Sequence, residues 1–182
     1  MGVLHAIKRA FVNFDQDLFG RVYGTFVRPH LEYGIQAWRP WLVKDQACLE
    51  RVQRRATKLV NGLKSHSYTD RLNCLNLFPL CYRQQRGDLI LVYKIIHGLE
   101  YGLKFEDMFQ WHLSPNLRGH SMKVRSTMSR LNLRSEFFTQ RVVEKWNDLP
   151  QSVVEATSLQ LFKKRLDDYL CPLFSLDGLN LN

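Results

Sequence analysis

From Asp45 to Gly62 the chain reads DQACLERVQRRATKLVNG. Leu49, Val52, Ala56 and Leu59 recur in this stretch at steps of three and four, the period of an α-helix and not the period of two that a strand needs. Asn61-Gly62 supplies the stop, because a residue after the last turn must reach positive φ and glycine does so without strain. The spacing predicts a helix over 45–61. A second stripe, Arg51, Arg54, Arg55 and Lys58, keeps the same period. On an ideal helix the two stripe centres lie about 120° apart, so one face enters a core while its neighbour offers four cations to a partner. Asp45 and Glu50 are the nearby acids, and Glu50, one position from Arg51, falls off the centre line of the basic stripe.

The same period runs outward in both directions. Leu18, Val22, Tyr23 and Phe26 predict a helix over 15–28, with Asp15 and Asp17 in its favourable first turn. Pro29 lacks the amide that would continue that helix, so it is read as opening the next, over 29–38. Trp38, Pro40 and Trp41 mark an aromatic corner. Ser67 or Thr69 caps a short helix through Leu75. Pro79 opens a helix over 79–97 that buries Tyr82, Leu89, Val92, Tyr93 and Ile96 and stops at Gly98. Residues 99–134 lose the period and read as loop or short strands. Ser135 then caps a helix over 136–147 with Phe138, Val142 and Trp146 inside, and Ser158 caps one over 159–170 with Leu159, Phe162, Leu166 and Tyr169 inside. The expected fold is mainly α: a helical bundle over 1–98, then an irregular basic segment and a small C-terminal helical subdomain over 99–182. Leu49, Val52, Ala56, Leu59, Phe26, Tyr93, Ile96, Phe138 and Trp146 are the expected core.

At 182 residues the chain is long enough to bury a core, and 45% hydrophobic content with 24% charged residues is that of a globular protein. The 26 Lys and Arg against 17 Asp and Glu give +9, a field that favours polyanionic partners. None of Cys48, Cys74, Cys81 and Cys171 forms a C-x-x-C pair, and no His stands at zinc spacing from them, so no metal site is expected. Cys74 and Cys81, in an apolar stretch, read as buried thiols. The most apolar run, Leu89 to Tyr93, lies between Asp88 and Lys94 and is far short of a membrane span. With no signal-peptide pattern and few cysteines, the expected location is intracellular, nucleus or cytoplasm, with no membrane partner.

Catalysis is poorly provided for. Two-metal phosphoryl or nucleotidyl transfer needs converging carboxylates. The adjacent acid pairs are Asp167-Asp168, whose side chains diverge by about 100° on a helix, and Glu106-Asp107, with no third acid close in sequence. Both read as solvated faces. There is no phosphate-binding glycine loop, no H-E-x-x-H and no G-x-S-x-G, so neither catalytic residue nor cofactor is expected. Nucleic acid fits better. The stripe cations suit phosphates, and between Ser114 and Arg134 come Arg118, Lys123, Arg125, Arg130 and Arg134 without one acid. Candidate nucleic-acid contacts are therefore Arg51, Arg54, Arg55, Lys58, Arg118, Lys123 and Arg125. Trp38, Trp41 and Trp111 are read as core anchors, with stacking on bases the alternative.

Three segments carry a family resemblance. YGTFVRPHLEYGIQAWRP (Tyr23 to Pro40), LERVQRRATKLVNGL (Leu49 to Leu63) and FFTQRVVEKWNDLP (Phe137 to Pro150) resemble the region after the catalytic palm in non-LTR, LINE-type (jockey-like) retrotransposon reverse transcriptases. RGDLILVYKIIHG (Arg86 to Gly98), RGHS (Arg118 to Ser121) and SLQLFKKRLDDY (Ser158 to Tyr169) follow in the expected order. The resemblance implies that the fingers and palm, with their metal-binding aspartates, are missing. This chain then corresponds to the helical thumb, which grips the template-primer duplex by its backbone, and the segment after it. It implies a phosphate-facing role for Arg51, Arg54, Arg55 and Lys58, and the palm and fingers of a parent polymerase as a further partner. The competing readings are a helical protein-interaction module and a non-functional mobile-element remnant.

Overall fold

The residues described by the computed structural model, 2–11, 13–113 and 119–173, are mainly α-helical, as the periodicity predicts. They divide into two compact units. The first takes the chain to Gly34 and from Trp38 to Gln84, and the second takes Ile35–Ala37 and the chain from Gln85 onward. The division falls inside a helix, at Gln84–Gln85, and not after Gly98, where the periodicity ends. Loss of period marks where a helix stops, which is a different property from where packing partners change.

The first unit begins with α1 (Gly2–Ala10), which turns Leu4 and Ile7 inward. Asp15 caps α2 (Gln16–Val22) by accepting from the Leu18 amide at 2.8 Å. A π turn, Tyr23–Val27, leads on into α3 (Arg28–Glu32), so the helix runs through Pro29 without the break predicted there. A proline ring collides with the carbonyl four residues back. The wider turn, in which the Arg28 amide bonds to the Tyr23 carbonyl, relieves that crowding. It also resets the buried face. Tyr23, Val27 and Leu31 point inward in steps of four, whereas Phe26 is 56% exposed instead of buried. The helix ends at Tyr33 and Gly34, where φ is +63°. α4 (Ile35–Trp38) follows, with residues in both units.

α5 (Val43–Thr57) crosses this unit, followed by α6 (Tyr68–Cys74), which Ser67 caps at the Asp70 amide. The apolar core comprises Leu4, Ile7, Phe14, Phe19, Val22, Tyr23, Val27, Leu31, Ala56, Val60, Leu63 and Leu80. Leu49, Val52 and Leu59, expected at the centre, are only half-buried against it. Cys74, expected inside, is exposed, and Cys81 is half-buried. Both cysteines are on helices whose inner faces are claimed by larger neighbours, Leu72 and Tyr82.

α7 (Leu80–Ile96) starts in the first unit and continues into the second. There Leu89, Val92, Tyr93 and Ile95 are buried, while Ile96, the expected core residue, is half-buried at the last position of the helix. After α8 (Phe105–Met108) the chain makes an isolated antiparallel bridge, Trp111 to Val124. The second unit closes with α9 (Asn132–Ser135), α10 (Phe138–Asn147), α11 (Gln151–Val154) and α12 (Leu159–Leu173). Ser135 does not cap α10. It ends α9, its hydroxyl bonds back to Asn132, and Phe137 stands at the cap position with no side-chain bond to give. Ser158 does cap α12, accepting from the Leu161 amide. Trp146 centres this core, wholly buried, with its indole donating to the Met122 carbonyl at 2.9 Å. Arg141 grips the buried Asp88 through two bonds of 3.0 and 3.1 Å.

Candidate nucleic-acid interface

The face of α5 that enters the core is unlike the one the leucines suggest. Glu50, Gln53, Ala56 and Thr57 are its buried residues, so the helix is turned toward its polar side. Partners brought in from other elements explain this. Tyr23 donates to Gln53 Oε1 at 2.6 Å, and Gln53 Nε2 donates to the Tyr68 hydroxyl and the Phe78 carbonyl, both at 3.0 Å. Tyr68 in turn donates to Glu50 Oε1, while Glu50 Oε2 accepts from the Leu80 amide at 2.9 Å, holding the first turn of α7. Arg71, itself buried, donates to Thr57 Oγ1 at 3.0 Å. A fully bonded network of this kind fixes one rotation of the helix, since any other would strand a buried polar group. Burial pushes the Glu50 carboxyl above its ordinary range, against the opposing pull of its bonds to Tyr68 and Leu80. The Tyr68 and Tyr23 hydroxyls are pushed up as well, first by burial, and then by Glu50 for Tyr68 and by Glu32 and Glu50 for Tyr23.

That rotation sets the outer face. Lys44, Cys48, Arg51, Arg55 and Lys58 follow one another at steps of four and three, all exposed. Asp45 is exposed one position off the row, and Glu50, the other acid of the helix, is turned inside. Arg51 and Lys58 make no ion pair among the described residues. Arg54 differs from its fellows. It stands at the edge of the buried face, half-buried, with its guanidinium 4.6 Å from the centre of the Tyr68 ring. Arg71 lies at 5.5 Å from the same ring, so part of the Arg54 charge is committed to a cation–π contact.

The remaining candidates belong to the second unit. Arg118 lies outside the described residues. Lys123 is half-buried beside Gly119, where φ is +103° and a Cβ would come within 3.1 Å of the Lys123 ammonium. Arg125 is exposed; its amide donates to the Gln110 carbonyl at 2.7 Å and its guanidinium to Gln110 Oε1 at 3.3 Å. Buried Val124 lies between them, held at its amide and carbonyl by the Asn147 side chain at 2.9 and 2.8 Å. Trp38, Trp41 and Trp111 are 41, 46 and 43% exposed, so the core-anchor reading fails for all three. Trp111 stacks on Phe105 at 4.0 Å. Of the acid pairs, Asp167 is clasped by Arg86 through bonds of 2.5 and 2.9 Å, contrary to its reading as a solvated side chain, and Asp168 is exposed. Glu106 and Asp107 are exposed on α8. No group of three or more His, Cys, Asp or Glu is placed to hold a metal ion, and no helix is long and apolar enough to cross a membrane, among the described residues.

Sequence reasoning missed the buried network and the Arg141–Asp88 pair. Glu50, Gln53 and Thr57 do share helical spacing, but their partners are 14 to 30 residues away and nothing in the sequence announces them. No family model, no curated protein and no solved structure matches the chain.

Proposed function

We propose that the chain holds a nucleic-acid duplex by its phosphates against the outer row of α5, as the thumb of a polymerase does, and carries no polymerase chemistry itself. The observation that carries this reading is the row Lys44, Arg51, Arg55 and Lys58 on a helix whose acid Glu50 is turned into the core. Cations at helical spacing with no carboxylate between them suit a phosphate backbone, whose recognition is electrostatic and indifferent to base sequence. The resemblance of Tyr23–Pro40, Leu49–Leu63 and Phe137–Pro150 to LINE-type reverse transcriptases points the same way and supplies the parent activity, RNA-directed DNA synthesis. Clasped Asp167, exposed Asp168 and the exposed pair on α8 are no carboxylate cluster for two metals. Docking to a protein is the second reading, favoured by exposed Met128, Leu131, Leu133 and Phe137 in the second unit.

Charge reversal separates the two. In an anisotropy titration with a labelled duplex, R51E combined with K58E weakens binding more than tenfold, with far-UV circular dichroism unchanged. Reversing Lys163 and Lys164 on α12 makes the same change in net charge and weakens binding far less. Equal losses from the two pairs would mean that total charge, and not this row, attracts the duplex.

A further inference from the structure

At its C-terminal end the row on α5 runs into a cleft of about 430 Å³. Lys8, Lys58 and Lys64 surround it, all exposed, over a floor that includes Phe14 and Leu59, with Phe11 at its rim. Phe11 is 37% exposed, and its ring lies beside the buried Phe14 ring, centroids 5.8 Å apart and tilted by 43°. The Asn61 amide donates to the Phe14 carbonyl at 2.9 Å and ties the turn after α1 to the segment after α5. Among the described residues no acid lines the cleft, and none of its three lysines is in an ion pair.

These features name a ligand class. Three cations around one opening call for an anionic group, and the apolar floor with a half-open ring calls for a flat apolar one attached to it. The volume falls in the range of small-molecule sites, about 300–1,000 Å³. A nucleotide joins a phosphate to a flat aromatic base. A base that is paired and stacked in a duplex cannot enter, whereas an unpaired one is free to lie on an aromatic side chain. Lys58 belongs to both the cleft and the α5 row, so the two surfaces are continuous. We infer that the cleft takes one unpaired nucleotide, its phosphate among Lys8, Lys58 and Lys64 and its base on Phe11, so that the preferred ligand is a duplex with a single-stranded extension. This inference rests on the duplex-binding reading above and specifies which nucleic acid that surface selects.

Anisotropy titrations with three labelled ligands test it: a blunt duplex, the same duplex with a short single-stranded overhang, and the same overhang with abasic sites. The overhang with bases binds about tenfold tighter than the blunt duplex, in the range of one base stacked on an aromatic side chain. The abasic overhang recovers little of that gain. F11A and F11L both abolish the preference and leave blunt-duplex affinity unchanged, the leucine keeping the apolar volume if alanine disturbs α1. Equal affinity for blunt and overhang ligands, or an equal gain from the abasic overhang, overturns the inference while leaving duplex binding standing. A preference that survives F11L overturns it too. Binding to none of the three ligands removes the duplex reading and this inference together.

Discussion

Glu50 and Arg54 stand one helical turn apart on α5 and meet opposite surroundings, one inside a hydrogen-bonded network and the other lying over the Tyr68 ring. Burial is the largest influence on the Glu50 carboxyl and raises its pKa, so the folded state holds that proton more tightly than the unfolded chain. The associated stability is present below the ordinary glutamate pKa and is lost as pH rises through the folded value. We predict that E50Q gains in melting temperature relative to wild type as pH is raised from about 4 to 7. If the bonds from Tyr68 and Leu80 outweighed burial, the variant would lose ground over the same range. Trp146, wholly buried with its indole bonded, is the largest anchor of the second unit, and W146A lowers stability by about 3–5 kcal/mol in urea unfolding. Trp146 and Phe138 were legible from sequence because they keep step with Val142 on one face of α10, whereas size alone misled at Trp38, Trp41 and Trp111. Glu50 was not, since its role depends on Tyr68 and Leu80, which the fold alone brings to it.

At the scale of elements, periodicity located the long helices and failed where one turn changes its pitch. The helix through Pro29 shows why. A single π turn, Tyr23–Val27, moves Val27 onto the buried face and Phe26 off it, although Phe26 fits the α-helical step from Val22 and Tyr23. F26A therefore changes stability by no more than about 0.5 kcal/mol, as at other surface positions. L31A on the following α3, at a buried position, lowers it by about 2–5 kcal/mol. A large loss from F26A would mean that this turn keeps the ordinary helical pitch in solution. α5 teaches a related lesson: its existence and its basic stripe were readable, but it stops at Thr57 and not at Asn61, and its rotation was set by polar partners on other elements. The exposed row gained from that rotation, for the expected stripe Arg51, Arg54, Arg55 and Lys58 is now joined by Lys44 and partly deprived of Arg54.

For the whole molecule, the proposed partner class rests on net charge and the proposed surface on the spacing along α5, while the cleft beside Phe11 was invisible in sequence. Its lining comes from α1, the turn after it and the segment that follows α5, which no linear pattern connects. The proposed role as a binding piece without chemistry predicts that the purified chain extends no primer with any nucleotide in magnesium or manganese; extension lost on D107A or D167A would contradict it. The most direct test of duplex binding is the salt dependence of affinity. Each phosphate contact on B-form DNA contributes about −0.9 to the slope of log affinity against log salt. Replacing Arg51, Arg55 and Lys58 together with alanine should flatten the wild-type slope by roughly two to three units, alike for unrelated duplex sequences and without loss of helix content. A folded triple variant whose slope matches wild type would show that the α5 row faces solvent and that the duplex, if held at all, is held elsewhere.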